Sequence, residues 1–225
     1  MANHKRKIMV RLNITAEGYT EDKFIRDILA PHLFTFGIIV HTRLIKSGKK
    51  RSGGYTNYRK LKFDIEQWIK EDRTACHTTM LDLYGLDDEF PGYTSSKALQ
   101  PINKVTAIES AFGNDINHRK FIPYIQLYEF EALLFSAPKI MEDWLSLYSN
   151  VPANRLSNIR DQFTSPEHIN DNPLTAPSKR IISIYGKNYD KVNDGILIAK
   201  EISLKTMREE CKHFDEWLTI LENLK

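Results

Sequence analysis

The apolar positions along the chain change period several times, and the order of those changes predicts the fold. Residues 8–15, Ile-Met-Val-Arg-Leu-Asn-Ile-Thr, form a mostly apolar run of strand length, followed by a turn at Ala16-Glu-Gly-Tyr19. Thr20-Glu-Asp22 then opens a helix, with a hydroxyl expected at the cap and two acids in the first turn. Its apolar stripe is Phe24, Ile25, Ile28 and Leu29, and Pro31 is expected to end or kink it. Residues 37–45 read as a second strand. Tyr58, Leu61, Ile65, Trp68 and Ile69 recur at helical spacing, and residues 78–83 form a third strand. A turn-rich stretch, 86–96, separates that strand from a helix carrying Ile102, Val105, Ile108 and Phe112. Residues 121–127 are a fourth strand.

Four strands alternating with three helices imply right-handed crossovers and an α/β fold, its mostly parallel sheet covered on both faces. From about Glu129 the pattern is helical with intervening loops. The expected organisation is an α/β core over 1–136 and a helical C-terminal region over 137–225, packed together as one compact unit.

Hydrophobic residues at 41% suffice for a buried core and exclude a disordered chain. No apolar run approaches the roughly 20 residues of a membrane-spanning helix. The basic start, residues 1–7, leads into an apolar run without a small-residue cleavage site, unlike a signal peptide. Cys76 and Cys211 are far apart and lack zinc-type spacing, which fits reduced thiols in a cytoplasmic protein.

Ligands of open parallel sheets gather at the carboxyl ends of the strands. Three of the four predicted strands deliver acids there: Glu17 after the first, with Glu21 and Asp22 a turn further on; Asp82 at the end of the third, with Asp87 and Asp88 beyond; and Glu129 and Glu131 after the fourth. Carboxylates converging on one edge repel unless a cation sits among them. Oxygen donors without a His/Cys set favour Mg²⁺ or Mn²⁺ over zinc. Each acid also has a structural account: Glu21 as a helix-dipole partner, Asp87 and Asp88 as turn formers before Pro91, Glu131 as a helix starter. Glu17, beside Gly18 in a strand-to-helix turn, and Asp82, ending an apolar strand, are least easily explained that way.

A net charge of +3 does not by itself indicate nucleic acid, but its distribution adds to the picture. Lys46, Lys49, Lys50 and Arg51 fall among glycines and serines in a loop suited to a phosphate backbone, and equally to solvent. The loop lacks the GxxxxGK[ST] order of a P-loop. Further on, Thr175-Ala-Pro-Ser-Lys-Arg180 reads as a helix start capped by Thr175, where Ser178, Lys179 and Arg180 suit a phosphate. Cys211, Phe214 and Trp217 are expected in the core, with His213 structural or at the surface.

The turn Glu17-Gly-Tyr-Thr-Glu21 and the acid on the third strand resemble the Toprim domain of topoisomerases, primases and OLD-type nucleases. In that domain a Glu after the first strand and an Asp-x-Asp pair after a later one bind Mg²⁺. The whole chain more closely resembles a prokaryotic Toprim-like family, domain of unknown function 4276. The motifs are Glu17-Gly-Tyr-Thr-Glu21, Asp82-Leu-Tyr-Gly85, Phe90-Pro-Gly92, Glu129-Phe-Glu-Ala-Leu-Leu-Phe135, Thr175-Ala-Pro-Ser-Lys-Arg180 and Cys211-Lys-His-Phe214. One departure stands out: Tyr84 occupies the position of the second Asp, so Asp87, Asp88 or Glu129 would have to replace it.

The resemblance implies a Toprim-like, Mg²⁺-dependent nuclease in which Glu17 and Asp82 bind metal and Lys179 takes the part of a late lysine near the metals. It further implies a partner ATPase in an anti-phage defence setting. The alternative is a non-catalytic Toprim-like binding or effector subunit working through that ATPase, and a third is phosphoryl or nucleotidyl transfer on a small molecule.

Overall fold

The computed structural model describes residues 9–48, 51–170 and 174–225, and of residues 47, 48, 51 and 52 the backbone alone. The basic N-terminal residues, Lys49, Lys50 and the Arg51 side chain lie outside the described residues. The strands are β1 (Val10–Ala16), β2 (Ile38–Leu44), β3 (Lys46–Gly48), β4 (Arg51–Ser52), β5 (Cys76–Asp82), β6 (Phe121–Ile122) and β7 (Ile125–Gln126). β1 pairs in parallel with β2 on one side and β5 on the other, and β5 pairs in parallel with both β6 and β7. The expected parallel sheet with flanking helices is therefore present, in the order β2-β1-β5-β6 with β7 also on β5.

Helix α1 (Tyr19–Phe24) passes through a π-helical turn, Ile25–Leu29, into α2 (Ala30–Thr35). Then come α3 (Tyr58–Glu71), α4 (Pro101–Ile116), α5 (Glu131–Leu134), α6 (Pro138–Ser146), α7 (Arg155–Arg160), α8 (Pro177–Tyr185), α9 (Asn193–Glu210) and α10 (Lys212–Glu222). Tyr58, Leu61 and Ile65 of α3 and Val105, Ile108 and Phe112 of α4 join Leu81 and Ile125 of the sheet in one apolar cluster. A second and larger cluster holds Leu12, Ile14 and Ala16 of β1 together with Phe24, Phe130, Cys211, Phe214 and Trp217. The C-terminal helices thus share a core with the sheet, and Trp217 Nε1 donates to Thr78 Oγ1 of β5 at 3.0 Å. No helix among the described residues is long and apolar enough to cross a membrane.

Four local expectations are corrected. Of the two outcomes expected at Pro31, an ended or a kinked helix, the first is excluded: the Ala30 amide bonds to Ile25 O in a wide π turn, and the helix resumes with Pro31 in its first turn, where the missing N–H is tolerated. The α1 cap is Gly18 rather than Thr20. The fourth strand breaks at Pro123-Tyr124, because proline has no amide to give the ladder. Thr79 Oγ1 there donates to Tyr124 O at 2.8 Å and accepts from Tyr124 N at 3.1 Å, standing in for the ladder. Part of the basic loop is a hairpin, with β3 and β4 antiparallel.

Candidate metal and phosphate site

Glu17 leaves β1 at its carboxyl end, and its backbone is held on both sides. Its amide donates to Met80 O at 3.0 Å, and its carbonyl accepts from Gly54 N at 2.7 Å. The side chain turns toward β5, where Oε2 accepts from the Asp82 amide at 2.8 Å. Gly85 closes on the other oxygen: a Cβ at that position would stand 3.1 Å from Glu17 Oε1. Burial raises the Glu17 pKa, against the backbone amides of Asp82 and Tyr55 and the charge of Lys191, with Glu129 adding to the rise.

Glu21 lies on the first turn of α1, and its Oε2 accepts from the Gly18 amide at 2.8 Å. Only 6% of the residue is exposed. Burial and the neighbouring Glu17 push its pKa up to about 7. Asp82 Oδ1 accepts from the Phe130 amide at 3.1 Å. Burial raises the Asp82 pKa well above the usual carboxylate range, and the charges of Glu21, Glu17, Glu131 and Glu129 raise it further. Glu129 and Glu131 arrive on the segment after β7. Glu129 Oε2 accepts from the Ser178 amide at 3.0 Å. Glu131 is 1% exposed and is raised to about 7 by burial, despite Lys191.

The sheet topology explains this convergence. Adjacent parallel strands β1 and β5 end at the same edge, and β7 ends beside them. Five carboxylates from distant segments therefore meet where the ladders stop supplying partners, and backbone amides take up one oxygen of each of four.

The sequence-derived candidates divide clearly. Glu17, Glu21, Asp82, Glu129 and Glu131 are brought together. Asp87 is engaged in the turn after β5, accepting from Tyr55 OH at 3.1 Å and the Glu89 amide at 3.0 Å. Asp88 is exposed and pairs with Lys97 at 2.6 Å. Lys46 is exposed and its amide bonds to Asp64. At α8 the cap is Ala176, not Thr175, whose hydroxyl donates to Asn170 Oδ1. The Ser178 amide, expected to meet a phosphate, meets Glu129. Arg180 Nε bonds to Thr175 O at 2.7 Å, its guanidinium 5.5 Å from the Phe163 ring centre. Lys179 is exposed on the same helix.

The lysine that sequence reasoning missed is Lys191. Its Nζ lies 3.0 Å from Glu131 Oε1. Burial lowers its pKa, but Glu131, Glu129 and Asp82 outweigh that and leave it raised, so it is a fixed cation. Tyr189 OH reaches the same Glu131 oxygen at 3.4 Å. No local pattern announces Lys191: it lies in an exposed-looking polar stretch, Gly-Lys-Asn-Tyr-Asp-Lys191, about sixty residues beyond its partner.

The donor set fits a hard divalent cation, since it offers only oxygen, and Glu17, Glu21, Asp82 and Glu131 are destabilised as anions by burial and by neighbouring carboxylates. Glu17 and Asp82, with Glu21 and Glu129, would hold it. Among the described residues no three His, Cys, Asp or Glu side chains stand at coordinating distance around one point. The acids are gathered at the edge without being closed.

The chain belongs to the family described as Domain of unknown function (DUF4276), whose model matches residues 16–222. No curated protein matches it. Among solved structures it is similar to the C-terminal region of the Burkholderia pseudomallei OLD protein, at 15% identity and a TM-score of 0.48, covering 96% of this chain and 100% of the other. It is also similar to the C-terminal region of the Xanthomonas campestris pv. campestris OLD protein, at 15% identity and a TM-score of 0.41, covering 94% and 97%.

Proposed function

We propose that the chain is a Mg²⁺- or Mn²⁺-dependent nuclease of the Toprim-like kind, cleaving phosphodiester bonds in DNA or RNA. The observation that carries this reading is the gathering of buried and half-buried, mutually repelling carboxylates from the ends of β1 and β5, the start of α1 and the segment after β7 around one lysine. A bound divalent cation supplies Lewis acidity and an activated water. Glu17 and Asp82 hold it, each anchored through one oxygen by a backbone amide. Lys191 takes the role that the resemblance implies for Lys179, placing a fixed positive charge where negative charge develops. Glu131 orients that lysine.

The protein is proposed to act with a partner ATPase in an anti-phage setting, as the family resemblance implies, and in the cytoplasm, where its two free thiols would stay reduced. The test is cleavage of a panel of DNA and RNA substrates with Mg²⁺ or Mn²⁺, with and without a neighbouring ATPase. Activity that Glu17→Ala and Asp82→Ala abolish supports the reading. No cleavage across the panel overturns it.

A second reading, a non-catalytic effector module, is favoured by one feature. Tyr84 stands where a second aspartate would complete the Asp-x-Asp pair.

A further inference from the structure

Each acidic segment at the sheet edge carries a tyrosine within two residues of its acid: Tyr19 after Glu17, Tyr84 after Asp82, and Tyr128 before Glu129. One aromatic beside an acid would need no explanation. Three at one edge, in segments brought together only by the fold, do. Tyr19 is 61% exposed although it opens α1 two residues before buried Glu21. The edge of its ring lies against the start of the segment after β4, 3.6 Å from where a Cβ on Gly53 would be. Gly53 has φ +91, so any side chain there would be strained. The hairpin thus meets Tyr19 with bare backbone.

On the other flank, the half-buried Tyr84 and Tyr128 rings are 5.9 Å apart at 44°. The Tyr84 amide bonds to Tyr128 O at 3.2 Å. Tyr128 holds φ 63, a left-handed conformation that an aromatic residue seldom adopts.

Among the described residues, the charges nearby argue in the same direction. A cleft of about 440 Å³ starts one helical turn from Tyr19, at Asp22, and includes Arg26, Arg43 and Lys46. Two of these cations are already neutralised, Arg26 by Asp22 and Arg43 by Glu71, each at 2.8 Å. Duplex binding draws mainly on phosphate contacts from unpaired cations. Base faces, by contrast, are open to aromatic side chains only in unpaired strands.

We propose that the substrate is single-stranded nucleic acid, with one base stacked on Tyr19 and the strand continuing past the Tyr84–Tyr128 pair on the far side of the carboxylates. The inference rests on the nuclease reading in taking nucleic acid as the substrate, but base stacking is measurable without cleavage. Lys46 meets the phosphate backbone on the Tyr19 side.

The test compares an oligothymidylate with a mixed-sequence duplex of equal length, by fluorescence anisotropy with Ca²⁺ and by cleavage with Mg²⁺. The single strand is expected to bind and be cut at least about tenfold better than the duplex, and Tyr19→Ala to lose roughly tenfold in single-strand affinity. Tyr19→Phe, which keeps the ring, restores it. Equal handling of duplex and single strand, or unchanged affinity in Tyr19→Ala, overturns the inference while any cleavage leaves the nuclease reading standing. Tyr19-dependent binding without cleavage does the reverse. The absence of both binding and cleavage overturns the inference, and the nuclease reading falls with it only if the full panel of DNA and RNA, with and without the ATPase, is also left uncut.

Discussion

Replacing Glu21 by Gln should stabilise the metal-free protein, although it removes an ordered carboxylate from the candidate site. Glu21 is buried, and its pKa rises from 4.5 to about 7 through burial and the charge of Glu17. At about 1.4 kcal/mol for each pH unit between the two values, the folded state carries a penalty on the order of 3 kcal/mol once Glu21 is ionised. The sign follows from linkage. The folded protein holds its proton up to about pH 7, whereas the unfolded chain releases it near 4.5, so stability falls as pH rises between these values and levels off above. Below pH 4.5 the penalty is absent. Glutamine cannot ionise, and its amide oxygen still accepts from Gly18.

Urea or thermal unfolding in EDTA is the assay. Wild type and Glu21→Gln should be close in stability near pH 4.5, and at pH 8 the variant should be more stable by up to about 3 kcal/mol. For a chain of this length that is roughly 6–12 °C in Tm. Mg²⁺ should stabilise the wild type and reduce the gap. A variant less stable than wild type at pH 8, or a gap that does not change with pH, would refute the reasoning.

Other outcomes follow from single contacts. Lys191→Met should reduce the rate of cleavage by about a hundredfold, as expected for loss of one preorganised charge, with a smaller effect on KM; steady-state kinetics would show it. Gly85→Ala should weaken Mn²⁺ binding while leaving urea stability nearly unchanged, because its Cβ would crowd Glu17 Oε1 at 3.1 Å. Glu142 accepts from the amides of Asn154, Leu156 and Ser157, so Glu142→Ala should cost about 2 kcal/mol in urea unfolding by leaving buried donors unpaired at α7. Burial alone would lower the His213 pKa, but the hydrogen bond and charge of Glu109 leave it raised. That stabilisation is present below the unfolded value of 6.5 and is lost as pH rises through the folded one, so His213→Phe should cost more at pH 5.5 than at pH 8.5.

The strands and the acids at their ends were legible because both depend on local signals, apolar runs closed by a glycine turn or an interrupting carboxylate. Cys211, Phe214 and Trp217 were likewise readable as core from helical spacing, and all three are buried. Lys191 was not legible, because its role depends on a contact with Glu131 that only the packing of the C-terminal region creates. Lys179 carried a local signal, a proline-started helix, yet the Ser178 amide beside it is taken by Glu129. Glu167 is similar: a buried carboxylate that caps α10 through the His213 and Phe214 amides, across more than forty residues. Helix ends announce that a cap is needed, not which distant side chain supplies it.

The central claim is that the carboxylates at the ends of β1 and β5 hold a divalent cation. Calorimetric titration of Mn²⁺ into EDTA-stripped protein tests it most directly. Saturable binding that disappears in both Glu17→Ala and Asp82→Ala is the predicted result. No binding by the wild type, or binding that both variants retain unchanged, would contradict it.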